Sequence, residues 1–180
     1  TYPGIIYHSI PTSLEAFAGY WWKPSTPWQG HSGNFNLTGG FMPNSGAGES
    51  IFVYMYGPPG GPYSIAVELG NSSLSNSHLP FSTGGAPGAR TLFGSASPPS
   101  VALGQWHKIE LHVRSSTTSS SQDGLVRWWM DDVQVGNYTN ANFTVQGWVE
   151  FQFVPYWGWT PGTKTQTDYF WIDHARVSVP

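Results

Sequence analysis

Residues 106–139, WHKIELHVRSSTTSSSQDGLVRWWMDDVQVGNYT, form three runs of alternating apolar and polar residues, broken by a Ser/Thr-rich loop and by Asp131-Asp132. In an extended chain successive side chains point to opposite faces. Ile109, Leu111 and Val113 therefore share one face, and Lys108, Glu110, His112 and Arg114 share the other. The second run repeats the division, with Val126, Trp128 and Met130 set against Arg127 and Trp129. The segment predicts strand, polar loop, strand, tight turn and strand, each with one face in a core.

Working outward, the same period of two recurs along the chain. Strands are expected near 4–9, 17–23, 34–41, 50–57, 63–69, 105–114, 124–130, 133–138, 147–154 and 168–179. Between them lie turn-forming stretches such as GPPGGP and SSTTSSSQDG. Helical periodicity is nearly absent, and SLEAFAG at 13–19 is the stretch that suits a helical turn. Residues 70–100 exceed an ordinary loop, which points to a functional loop or to a further strand, with RTLFG at 90–94 as candidate. The expected fold is all-β, a two-sheet antiparallel β-sandwich or jelly roll spanning 1–180 as one domain.

Composition narrows the partners. Charged residues are 9% of the chain, against about a quarter in an average domain, and the seven Lys and Arg never cluster. With a net charge of -3, nucleic acid and anionic membrane surfaces are excluded as natural partners. No stretch suits a membrane span, and TYPGIIYHSIP lacks a signal-peptide pattern, so the chain reads as mature or trimmed. Low charge and abundant Gly, Pro, Ser, Thr and aromatic residues suit an extracellular or cell-surface protein. Asn36, Asn71, Asn137 and Asn142 stand in Asn-x-Ser/Thr sequons.

GQWHKIELHV, DGLVRWWMDDVQVGNYTN, FQFVPYWGW and DYFWIDHARVSV together resemble bacterial extracellular proteins of the concanavalin A-like jelly-roll group, those described as heparinase-like or polysaccharide-lyase-like. GYWWKPSTPWQGHSG is similar to their early strand and loop. The resemblance implies a polysaccharide partner and a jelly roll without the group's acidic first strand. It also implies a structural Ca²⁺ on Asp173 of WIDHARVSV, with backbone carbonyls completing the oxygen ligands. No other cofactor is implied, and the six histidines lack the spacing of a catalytic zinc site.

The stretch WVEFQFVPYWGW at 148–159 places Glu150 and Gln152 on the polar side of a strand that runs into an aromatic loop. If this strand lies beside the hairpin of 106–139, then Glu110, His112, Arg127, Trp129, Glu150 and Gln152 line one face. Two readings stand. The carboxylates pair with Lys108, Arg114 or Arg127 across strands, or the face holds a sugar, with aromatic rings covering its CH surface and Glu, Gln and Arg bonding its hydroxyls. Trp21, Trp22, Trp28, Trp106, Trp128 and Trp148 are mostly expected in the core. Trp157, Trp159, Trp28 and His31, in Gly/Pro-rich loops, are the expected sugar platforms.

Three function classes follow. The first is a carbohydrate-binding or lectin-like jelly roll. The second is an enzyme: a polysaccharide lyase taking its base and carboxylate neutraliser from His112, Arg127, Gln152 and Tyr156, or, ranked below it, a glycosidase using Glu110 with Glu150, or with Glu68. The thin basic complement weighs against a lyase. The third is a surface or filament subunit that self-associates through an open sheet edge.

Overall fold

Alternation becomes architecture in the computed structural model, which describes residues 4–44, 50–72, 75–85, 88–143, 146–158 and 162–180. The strands are β1 (Ile6–Ser13), β2 (Glu15–Pro24), β3 (Phe35–Pro43), β4 (Ile51–Tyr56), β5 (Ser64–Leu69), β6 (Ser82–Gly84), β7 (Arg90–Leu92), β8 (His107–Arg114), β9 (Gly124–Met130), β10 (Val133–Ala141), β11 (Trp148–Trp157) and β12 (Phe170–Ser178). They make a seven-stranded sheet, β1-β11-β3-β4-β5-β7-β6, and a five-stranded sheet, β10-β9-β8-β2-β12, antiparallel throughout. The chain crosses between sheets after β1, β2, β7, β10 and β11, which gives a jelly-roll sandwich.

The core lies where the inward faces meet. Ala16, Ala18, Tyr20 and Trp22 of β2, with Ile109, Leu111 and Val113 of β8, face Phe41, Val53, Met55, Phe151 and Phe153 of the larger sheet. Trp22, Trp128 and Trp148 are fully buried, and each such aromatic stabilises by about 1.5–3 kcal/mol. Trp128 lies across β10, where only glycine fits: a Cβ on Gly136 would come within 2.0 Å of its ring. Burial also pushes the Tyr20 hydroxyl pKa well above its ordinary value.

Two expectations need correction, and a third is extended. SLEAFAG forms no helical turn; residues 15–19 open β2, because every second residue, Ala16 and Ala18 first, enters the core. The 70–100 segment carries two short strands, β7 where RTLFG was expected and β6 before it. The largest correction concerns β11. It does not lie beside β8 and β9 but between β1 and β3 in the opposite sheet, since Trp148, Phe151 and Phe153 pack onto Phe41 and Tyr20.

Candidate carbohydrate-binding face

That placement divides the sequence-selected residues into three groups. On the outer face of the five-stranded sheet, strand registers set side chains in rows. One row runs Trp129, Glu110, Gly19 and Arg176; the next runs Arg127, His112, Phe17 and Ser178. Gly19 is the gap in the first row. With strands about 4.8 Å apart, it leaves a trough between the Glu110 and Arg176 positions, whose backbones stand about 10 Å apart. The trough encloses about 620 Å³ and is lined by Phe17, Gly19, Glu110, His112, Trp129 and Arg176 among others.

Arg176 reaches this row through a bulge. Asp173 pairs with Trp21 and Arg176 with Gly19, so β12 spends one extra residue there, and His174 takes a left-handed φ of 48°. Strict alternation would put Asp173 and Arg176 on opposite faces; the bulge restores Arg176 to the outer one. Most trough charges are committed to neighbours. Lys108 Nζ lies 3.1 Å from Glu110 Oε2 and 2.7 Å from Asp132 Oδ1, and these two carboxylates raise its pKa. His112 Nε2 lies 2.6 Å from Glu15 Oε1, and its ring stacks on Phe17 with centroids 4.1 Å apart. Arg127 Nε donates to Asn137 Oδ1 at 2.8 Å. A cross-strand contact outside that reading joins His112 of β8 to Glu15 of β2. Glu110 pairs with Lys108 of its own strand, not with Arg127, and Arg176 has no hydrogen-bond or ion-pair partner among the described residues.

The second group, Glu150, Gln152 and Tyr156, belongs to β11 in the other sheet. Glu150 pairs in register with Ser9 and Met42, and Gln152 with Tyr7 and Gly40; the Gln152 amide donates to the Glu150 carboxylate. Glu110 and Glu150 therefore lie on outward faces of sheets packed about 10 Å apart and share no cleft. This removes the Glu110/Glu150 glycosidase pair and the single six-residue face. Glu68 is buried, accepting from Tyr54 and Thr91 hydroxyls at 3.2 Å each. Around Tyr54 the outer face is closed by rings: Phe35, Phe52 and Tyr56 pack edge to face with centroids 5.1–6.2 Å apart.

The third group, Trp28, His31 and Trp157, holds two loops together, with His31 buried and both indoles half-buried. Trp157 Nε1 donates to the Gln29 carbonyl at 2.7 Å, and His31, fully buried, meets the Trp157 ring edge-on at 4.5 Å. Trp28 Nε1 donates to Asn36 Oδ1 at 3.3 Å, and Lys164, ion-paired to Asp168, caps the Trp157 ring at 4.9 Å. The polar residue that joins the loops is Gln29: its side chain donates to the Thr163 carbonyl and accepts from Thr165 and Gln166 amides. Gly158 permits the packing, with a φ of 73° and no Cβ to strike His31. Trp159 lies outside the described residues.

Asp173 faces outward and bonds the amide and ring of His174. Among the described residues no group of three or more His, Cys, Asp or Glu gathers as a metal site. The calcium expectation rests on the resemblance alone.

Besides Trp129, the aromatic residues in or beside the five-stranded sheet that reach solvent are ones expected mostly inside, or never singled out. Trp21, Trp106 and Trp171 are 40%, 42% and 46% exposed, and Phe17 and Tyr169 are exposed too. The signal was present in AFAGYWWKP: two adjacent tryptophans in a strand cannot both face inward, and with Trp22 inside, Trp21 must face out with Phe17 and Lys23.

No protein-family model matches the chain, and no curated protein does. Solved structures do resemble it. The alginate lyase Aly36B superposes with a TM-score of 0.67 at 15% identity, over 96% of this chain and 72% of that one. The endo-β-1,4-glucuronan lyase of the fungus Trichoderma reesei gives 0.60 at 18% identity, over 96% and 71%. A tetrameric galectin from the sponge Cinachyrella sp. gives 0.53 at 10% identity, over 97% and 98%. At these identities the similarity is one of fold: the chain shares the jelly-roll sandwich of polysaccharide lyases.

Proposed function

We propose that the protein is an extracellular polysaccharide-binding jelly roll whose ligand lies in the trough on the outer face of the five-stranded sheet. The observation that carries this is the row Trp129–Glu110–Gly19–Arg176, where a missing side chain opens a groove flanked by an indole, a carboxylate and a guanidinium without a partner among the described residues. A pyranose presents an apolar CH surface and a rim of hydroxyls, which suits exposed rings beside directional polar groups. Support for an acidic sugar comes from Arg176 and from the neighbours in fold: Aly36B variants are solved with alginate trisaccharide and tetrasaccharide. The test is affinity electrophoresis in gels containing alginate, glucuronan or a neutral glucan. Phe17→Ala with Trp129→Ala is expected to weaken retardation about tenfold, two lost ring contacts of about 0.5–1.5 kcal/mol each. Retardation equal to wild type would refute the assignment.

A second reading, lyase action in the same trough, is favoured by the His112–Glu15 contact. A carboxylate accepting from Nε2–H leaves Nδ1 as the ring's proton acceptor. Such a base would take the proton α to a uronate carboxylate, with Arg176 neutralising the carboxylate. The electron pair then forms a carbon–carbon double bond as the glycosidic oxygen β to the carboxylate leaves and is protonated. Appearance of ultraviolet-absorbing unsaturated product from alginate or glucuronan, lost in His112→Gln, would establish it. Unchanged polymer length after prolonged incubation would leave binding alone.

A further inference from the structure

Of the seven Lys and Arg side chains, Lys108 and Lys164 are ion-paired, and Arg90, Arg114 and Arg127 hydrogen-bond to neighbours. Lys23 and Arg176 have neither kind of partner among the described residues, and both stand on the outer face of β2 and β12. Lys23 is held only by rings: its Nζ lies 4.8 Å from the Trp171 centroid and 5.5 Å from that of Trp106. Tyr169 extends the cluster, tilted against Trp171 at 6.2 Å, and an open cleft of about 530 Å³ adjoins it, lined by Lys23, Gly104, Tyr169 and Trp171 among others. Rings on either side leave the ammonium's hydrogen-bond donors available, which is an arrangement receptive to an anion.

The two free cations are in line. Arg176 is opposite Gly19 and Trp171 is opposite Lys23, so they are separated by four residues of β2, about 13 Å. Exposed Trp21 lies between them, facing Asp173, whose carboxylate is turned to His174.

We propose that the Lys23, Trp106, Trp171 and Tyr169 cluster is a second sugar subsite, taking the carboxylate of a uronate unit further along the same polymer that fills the trough. This rests on the reading of the trough as a polysaccharide site and extends it. The ligand runs along β2 and β12, crosses Trp21, and is contacted through charge at both ends. Short oligomers fill the trough alone; longer ones bridge both subsites and gain by tethering.

The test is calorimetric titration of the folded protein with size-fractionated alginate and glucuronan oligosaccharides. Wild type is expected to bind long oligomers at least tenfold more tightly than the shortest that bind, with a salt dependence that shrinks in Lys23→Gln. Lys23→Gln and, separately, Trp171→Ala should abolish that length-dependent gain while the short-oligomer affinity stays unchanged. Variants that keep the full gain would overturn the second subsite and leave the trough reading intact. A wild type that binds neither short nor long uronate oligomers would overturn both.

Discussion

Gly19 is the residue on which the trough depends, and its neighbourhood allows a direct test. A Cβ built there meets only Glu110 Cγ at 3.7 Å, an ordinary contact. Gly19→Leu should therefore fill the trough and abolish polysaccharide retardation with a melting temperature near or above wild type, because a strand gains from losing glycine. A variant that still binds would place the ligand elsewhere. Asp123 carries a pH expectation of its own. It accepts hydrogen bonds from the Thr117 hydroxyl and amide, which hold its carboxyl down to about 2. A depressed folded-state pKa means that its contribution is complete above the ordinary carboxyl range near about 4 and fades as pH falls through about 2. Amide exchange at Thr117 should accordingly stay protected at pH 4 and accelerate toward pH 2, whereas Asp123→Asn should flatten that dependence. Acceleration complete by pH 4 would contradict it.

At the scale of elements, the strands were legible because period-two patterning is a local property. The stretches 106–139 and 17–23 display both faces in their own letters, and β8, β9, β10 and the second half of β2 fall where alternation puts them, whereas the start of β2 read as a helical turn. The hairpin neighbours β8, β9 and β10 follow from the turns between them, but which distant strands lie side by side is settled by long-range packing, where local pattern gave no purchase. The strand β11 alternates as cleanly as β8, yet its inward rings Phe151 and Phe153 fit against Tyr20 from across the sandwich. The bulge at His174 was equally invisible, since one added residue reverses which side of β12 faces out. The loop tryptophans misled for a related reason: a Gly/Pro loop is exposed by default, but Gln29 and Asp168, distant in sequence, fold it down over Trp157 and Trp28. Core placement makes a quantitative claim. Trp148→Ala should cost about 3–5 kcal/mol in denaturant unfolding, Trp171→Ala under about 1 kcal/mol. Similar losses for both would contradict the division into core and face.

For the molecule as a whole, the sandwich presents two outer sheet faces, and they differ in kind. Around Tyr54 the larger sheet's outer face is closed by its own rings and by the buried Glu68, while the smaller sheet's carries exposed indoles and, in line, Arg176 and Lys23, which have no ion-pair or hydrogen-bond partner among the described residues. An acidic polymer lying on that face would be attracted by Arg176 and Lys23 against a net charge of -3, so its binding should weaken steeply with added salt. The ten tryptophans allow the face to be read directly, because each indole N–H gives its own nuclear magnetic resonance signal. The measurement is titration of the isotope-labelled protein with alginate or glucuronan oligosaccharides. Binding on the five-stranded sheet predicts shifts for Trp21, Trp129, Trp171 and Trp106, with the buried Trp22, Trp128 and Trp148 unmoved. Shifts confined to Trp28 and Trp157 would move the site to the end loops, and contradict the assignment of the ligand to the outer face of the five-stranded sheet.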